Sequence, residues 1–378
     1  MTHALIPLSV ALAAGCAAPA DRPPPKGGAD TAADTGPAPD TGGPPRAPDW
    51  TAVEATLDAA WADAPPEIPG LGLLIVDAAG ATLFAGTRGA LDLGARLPVA
   101  SASKLISALV TQRAIDTGLL DPAATTADVL GWDGPEGAVD LPALHGFVSG
   151  LDPEPGCVLR PQITLAACVD EIRAAGLQHS PGAVFHYGSG HQHVAGRMVE
   201  VATGLPWNDA FSALLAAPLG LTDPGLRYVT LPQRDLGTTN PLVAGGLWAT
   251  PAEYARLVLP LAAAGRVDGA PFLSPAAVDA LFANTHPTAT VGYAPDAVLP
   301  YDFRYGYGAW LLCPGPVPTC PVIASPGAYG FTPWIDRDRG LVALLVMDSG
   351  TPGGATWAVP WSEVLRPQVA AALDAAAD

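Results

Sequence analysis

The chain has 378 residues, with 36 acidic side chains against 18 basic ones, a formal net charge of −18, and 49% hydrophobic but only 14% charged residues. The acidic balance excludes a nucleic-acid binder that works through a basic face, and the apolar content excludes a chain disordered throughout. No apolar run reaches the ~18 to 20 residues of a membrane-spanning helix, while the length suffices for one compact unit or two subdomains.

Residues 4–15 are apolar and end Ala13-Ala14-Gly15-Cys16, which reads as a secretory h-region before small residues at a cleavage site. Cys16 in that setting resembles the lipobox cysteine of bacterial lipoproteins, which is lipidated and becomes the mature N-terminus; the alternative is an ordinary secretory signal, since Ala13 stands where Leu is usual and the first residues carry no Lys or Arg. Residues 17–49 are rich in Pro, Gly, Asp and Thr and bury too little apolar surface to offset the entropy of ordering. They are expected to be a tether of 17–49 between a signal of 1–16 and a folded domain of 50–378.

Trp50, Val53, Leu57 and Trp61 recur at helical spacing, with Asp49 placed to cap the helix. Leu71 to Val76 and Ala81 to Ala85 read as a hairpin around Asp77-Ala78-Ala79-Gly80. Helix signals fill the middle, at Val194 to Ala202, Trp207 to Leu215 and Pro251 to Leu261, and three more strands follow at Pro321 to Ala324, Phe331 to Ile335 and Leu341 to Met347 before a last helix over Trp361 to Leu373. Strands at both ends and helices between predict an α+β fold, with an antiparallel sheet assembled from both chain ends, flanking helices and an inserted, mainly helical subdomain.

The sequence holds two lysines, Lys26 in the tether and Lys104, against 16 arginines. Lys104 follows Ser101 by three residues, at the start of a helical pattern carried by Leu105, Ile106, Leu109, Val110 and Ile115. That spacing puts both side chains on one helix face. A hydroxyl needs a base to become a nucleophile, and a buried lysine can serve as one where arginine cannot. A second constellation, Tyr187 and Ser189, sits on a loop before the next helix; a phenolate beside an ammonium can act as general base. The competing readings are a helix-capping Ser101 with a solvated Lys104, and Tyr187 as a core aromatic. His186, His191 and His193 cluster in sequence, yet no His-Glu-x-x-His accompanies them, and no serine is flanked by the Gly-x-Ser-x-Gly of an α/β-hydrolase.

Pro98-Val99-Ala100-Ser101-Ala102-Ser103-Lys104 and Tyr187-Gly188-Ser189 together resemble the motifs of the serine β-lactamase and penicillin-binding-protein superfamily, in its class C β-lactamase-like branch of esterases and D-aminopeptidases. Val148-Ser149-Gly150-Leu151, Pro218-Leu219-Gly220-Leu221 and Gly245-Gly246-Leu247 are similar to further segments of that branch. The resemblance covers residue 50 to the C-terminus and implies a β-lactamase/transpeptidase-like fold. It also implies a serine hydrolase that forms an acyl-enzyme on Ser101 with Lys104 and Tyr187 as general base, without cofactor or metal. Its third motif departs: Ser325-Pro326-Gly327 stands where a Lys-Thr-Gly or His-x-Gly is usual. By analogy Ser189, Ser325, Gly327 and Ala328 bind substrate, with the N–H groups of Ala328 and Ser101 as the oxyanion hole. Esterase-like turnover of a small ester, amide or peptide is then expected over β-lactam hydrolysis. The alternative is a lipoprotein that binds cell-wall peptides or a protein without turnover.

Cys157 with Cys168 and Cys313 with Cys320 are expected to form local disulfides, because short loops close at low entropic cost and an exported protein meets oxidant. The protein is expected outside the cytoplasm, held at a membrane through lipid on Cys16 or secreted. The oligomeric state has no sequence signal.

Overall fold

The strand Gly70–Asp77 is buried at every position but its last, and Leu341–Met347 is buried throughout. Successive side chains of a strand point to opposite faces, so a run buried at both parities requires cover on both sides of the sheet. In the computed structural model the helices Thr51–Ala62 and Gly354–Ala377 supply one cover and Pro251–Ala262 the other. The structure describes residues 46–377 apart from 232–236, 303, 316, 348 and 351; Cys16 and positions 17–45 of the expected tether lie outside the described residues. Residues 46–378 form one compact unit.

The six-stranded sheet runs Trp310–Leu311, Val322–Ala324, Thr332–Asp336, Leu341–Met347, Gly70–Asp77, Thr82–Gly89, and every neighbouring pair is antiparallel. The two chain ends meet at its centre, where Leu74 faces Leu344. The hairpin forms where Asp77 takes the N–H groups of Ala79 and Ala81 on its carboxylate, at 3.0 and 2.8 Å, and Gly80 supplies a φ of +85°. Its second strand continues to Gly89, four residues beyond the expected end. Asp49 acts one position before the helix N-cap: its carboxylate accepts the Thr51 N–H at 3.0 Å, and the Thr51 hydroxyl and N–H hold its carboxyl below the usual range. The last helix starts at Gly354 rather than near Trp361. The pattern at Trp207 is broken, with helix over Trp207–Phe211 and a wider π turn over Ser212–Ala216.

Between the sheet's two halves lie the helices Ser103–Asp116, Leu165–Ala175 and Gly190–Thr203 and, besides a short ladder of Arg266–Val267 with Ala270–Pro271, two small sheets. One pairs Leu97–Pro98 with Leu247–Ala249, which in turn pairs with Arg227–Tyr228; the other lays Val184–His186 parallel to Thr290–Tyr293. Both expected disulfides are present, Cys157–Cys168 and Cys313–Cys320, with Cα separations of 5.3 and 5.6 Å.

Candidate active site

Past the short strand Leu97–Pro98, the Val99 N–H donates to the Leu247 carbonyl at 3.0 Å. The chain then turns through Ala100, a non-glycine residue at φ +46°. Such a conformation costs on the order of 1 to 3 kcal/mol and persists only when its surroundings hold it. Here Val99 is fixed to Leu247 on one side, and the Tyr254 hydroxyl donates to the Ala102 carbonyl at 2.9 Å on the other. Ser101 therefore sits in a 3-10 turn, Ala100–Ala102, and the α-helix begins at Ser103. The nucleophile candidate was expected at the α-helix start and lies just ahead of it, where the first N–H groups of a helical segment have no partner within the helix.

Lys104 is buried, and its Nζ donates to the Ser101 Oγ and to the Ala244 carbonyl, both at 3.0 Å. Burial pulls the Lys104 pKa down to about 8, against a smaller upward pull from the Glu154 charge. The Ala244 carbonyl belongs to the turn that carries Gly245-Gly246-Leu247. A Cβ on Gly246 would lie 2.1 Å from the Val229 carbonyl oxygen, and the Leu247 N–H donates to the Ser103 Oγ at 3.1 Å. That segment thus grips the nucleophile turn and the helix start through three hydrogen bonds, at the Ala244 carbonyl and at the Leu247 carbonyl and N–H, an outcome the sequence could signal only through its paired glycines.

The Tyr187 ring carries the Lys104 Nζ over its face, 4.6 Å from the centroid, and stacks on Trp310 at 5.5 Å. Phe147 meets it edge-on at 5.3 Å. Burial pushes the Tyr187 hydroxyl well above its ordinary pKa, and a hydrogen bond with the Ser101 side chain offsets this only in part. The direction of this shift favours the neutral phenol over a phenolate, while burial moves Lys104 toward its neutral form.

The Val148-Ser149-Gly150-Leu151 segment lies behind this cluster. Gly150, at φ +77°, has the His179 carbonyl oxygen where a Cβ would stand, 2.0 Å away. The Ser149 Oγ bonds His191 Nδ1 at 2.7 Å, while His191 Nε2 bonds the His186 carbonyl at 2.9 Å. Burial depresses the His191 and His193 pKa values to about 4 each. His186, His191 and His193 do not converge on a common point, and among the described residues no group of three or more His, Cys, Asp or Glu is arranged to hold a metal ion.

The third segment also has a structural logic of its own. Ser325 is buried and its hydroxyl donates to the Ser101 carbonyl at 3.2 Å, away from the cleft where a substrate group would lie. A Cβ on Gly327 would lie 2.1 Å from the Val99 carbonyl oxygen, so the residue lets this turn close on the nucleophile turn. Ala328 and Ser101 stand together where two lobes of one cleft meet. The first lobe, about 330 Å3, is lined among others by Lys104, Ser189, Leu159, Leu242 and Tyr329; the second, about 230 Å3, by Tyr187, Tyr293, Asp296 and Val298.

Glu154 is a residue that sequence reasoning missed. It lies in the Pro153-Glu154-Pro155 stretch, close enough to Lys104 and Ser189 for charge coupling to the first and hydrogen bonding from the second; desolvation raises its carboxyl pKa, and Lys104 and Ser189 lower it. A lone Glu between prolines has no periodicity or motif that would signal this.

No curated protein matches the sequence significantly. Solved structures do match: a β-lactamase candidate from Bacteroides dorei at 24% identity and TM-score 0.72, covering 86% of this chain and 99% of the other. The LovD6 mutant of simvastatin synthase from Aspergillus terreus matches at 19% identity and TM-score 0.62, covering 85% and 97%. EstCE1, described as a hydrolase with promiscuous acyltransferase activity, matches at 18% identity and TM-score 0.63, covering 84% and 98%. These likenesses establish a β-lactamase/transpeptidase-like fold. The model of the Beta-lactamase family matches residues 55–358, which span both the sheet and the Ser101 turn, and the chain therefore belongs to the Beta-lactamase family, whose members include serine hydrolases.

Proposed function

We propose that this protein is an exported serine hydrolase that cleaves a neutral ester or amide through an acyl-enzyme on Ser101. The observation that carries the reading is the 3.0 Å contact between Ser101 Oγ and the buried Lys104 Nζ, with the lysine pKa brought down to about 8. A lysine at that pKa is partly a neutral amine at physiological pH and can take the Ser101 proton as Oγ attacks the carbonyl carbon. The oxyanion that forms is received by the N–H groups of Ser101 and Ala328. As the tetrahedral species collapses, the bond to the leaving group breaks and that group takes a proton from the Tyr187 hydroxyl, which is replenished by the lysine ammonium. Water then attacks the acyl-enzyme, gives its proton back through the same pair, and releases acid and Ser101.

Esterase-like activity is favoured over β-lactam hydrolysis because Ser325 brings no cation to the third segment, and its hydroxyl is spent on the Ser101 carbonyl. The pairing of Ser101 with Lys104 favours turnover over a binding-only role, which has no need of a lowered lysine pKa. The two disulfides support an oxidising compartment, and the Cys16 resemblance supports a lipid anchor.

Labelling with a fluorophosphonate tests the reading: wild type should be modified at one site, Ser101, and Ser101→Ala should take no label. Intact wild type that resists labelling at pH 8 would return the protein to the binding-only alternative.

A further inference from the structure

Which half of the cleft takes which half of the substrate follows from where protons must go. The leaving group needs a proton as its bond breaks, and the Tyr187 hydroxyl that would give it lines the second lobe with Tyr293 and Asp296. The acyl portion must therefore lie in the first lobe, past Ser101. That lobe is walled by Leu159, Leu231, Leu242, Tyr329 and Pro352. Lys104 is the only formally charged side chain among the described residues lining it, and its Nζ is committed to Ser101 and the Ala244 carbonyl. An acyl group bearing a charge finds no partner there.

Leu159 is the wall residue with an unexplained exposure: 47% of it is open, on a chain whose large apolar residues are mostly buried. It ends the 3-10 turn Gly156–Leu159, and that turn and the residue after it are held at three atoms. Cys157 is bonded to Cys168 in the helix Leu165–Ala175. The carbonyls of Cys157 and Arg160 both accept from the Asn240 Nδ2, at 2.9 and 3.0 Å. Asn240 stands two residues before Leu242, another residue of the lobe's lining. The disulfide and the amide thus fix the spacing between Leu159 and Leu242, and an exposed leucine clamped at the mouth of an apolar lobe is a contact surface for an apolar ligand.

Resting on the hydrolase reading above, we infer that the first lobe is an acyl pocket for neutral aliphatic chains, and that Leu159, clamped by Cys157–Cys168 and Asn240, sets the chain length it accepts. Each methylene that the lobe buries fully is worth about fourfold in kcat/KM. A lobe open on one side realises less of that.

The test is a series of nitrophenyl acetate, butyrate, hexanoate, octanoate and decanoate on wild type, Leu159→Ala and Leu159→Trp, each titrated beforehand with a fluorophosphonate to count working sites. In wild type kcat/KM should rise at least tenfold from acetate to hexanoate or octanoate. Leu159→Trp should move the optimum to shorter chains and Leu159→Ala to longer ones. A flat or falling profile from acetate onward, or Leu159 variants that scale all chain lengths alike, would overturn the inference while full fluorophosphonate titration leaves the hydrolase reading standing. Absence of titratable sites in wild type would overturn both. If Leu159→Trp does not fold, the Leu159→Ala profile alone decides.

Discussion

Lys104 is where burial, charge and chemistry meet in one side chain. Its pKa near 8 lies below the ordinary value of 10.5 that it regains on unfolding. Between those two values the unfolded chain binds more protons than the folded one, so this residue makes stability rise with pH across about 8 to 10.5, and below pH 8 its full cost is present. At about 1.4 kcal/mol per pKa unit that cost is about 3 kcal/mol at pH 7, partly offset in any variant by leaving the Ala244 carbonyl unpaired. Lys104→Met is therefore expected to lose turnover and to melt a few degrees above wild type at pH 7, with the advantage shrinking as pH rises through 8 to 10.5. A melting-point difference from wild type that stays constant from pH 7 to 10.5 would show that the ammonium is not penalised. Lys104→Arg should also be inactive although it keeps the charge, because a guanidinium does not take the Ser101 proton; ester turnover within tenfold of wild type would contradict the assignment. Glu154 pulls the Lys104 pKa upward, so Glu154→Gln should shift the rising limb of the pH–rate profile to lower pH while leaving the plateau within a few-fold. A limb that stays in place or moves to higher pH would remove Glu154 from the lysine's environment.

Elements matter here through the places where two of them nearly touch. The turn at Ser325 closes on the nucleophile turn only because Gly327 has no side chain: a Cβ there would stand 2.1 Å from the Val99 carbonyl oxygen and 3.3 Å from that of Phe331. Gly327→Ala is expected to destabilise by about 1 to 3 kcal/mol, the range for overpacking, and to lower kcat/KM further still, because the shift moves the Ala328 N–H relative to Ser101. A variant that melts with wild type and turns over normally would mean the turn can yield, and the close approach would lose its significance. Much of this level was legible in the sequence, for physical reasons. The hairpin, the Leu341–Met347 strand and the Pro251–Ala262 helix are written in local periodicity and turn residues. The pairing of Ser101 with Lys104 follows from helical spacing alone, even though the serine lies in a tighter turn than expected. What was not legible depends on contacts between distant segments: the two-residue strand Leu97–Pro98 exists only because Leu247–Ala249 pairs with it. The Ala244 carbonyl reaches Lys104 across 140 residues, and the Tyr187 hydroxyl is pushed above its ordinary pKa by burial, which its neighbours in the chain do not signal.

At the scale of the molecule, the distribution of charge decides which substrates can approach and remain. The chain carries a formal charge of −18, which repels anions at low salt over about a Debye length. Within the cleft that repulsion has no local answer. Among the described residues lining the two lobes, the formally charged side chains are Lys104, engaged with Ser101 and Ala244, and the carboxylate of Asp296. Ser325, where a cation would offer a charge-assisted hydrogen bond, faces the Ser101 carbonyl. A substrate carboxylate forgoes an interaction worth about 1.5 to 3 kcal/mol, which is roughly tenfold to over a hundredfold in specificity. Neutral esters such as nitrophenyl butyrate are therefore expected to exceed benzylpenicillin in kcat/KM by at least that factor on the same preparation, with Ser101→Ala as the control for background hydrolysis. Raising the salt from low to physiological should narrow the gap, because it screens the long-range repulsion, but should not close it, because the missing cation is a contact effect that salt does not replace. Benzylpenicillin turned over faster than the ester at any salt would mean that an arginine outside the two lobes reaches the substrate carboxylate, and the neutral-ester reading would have to be given up.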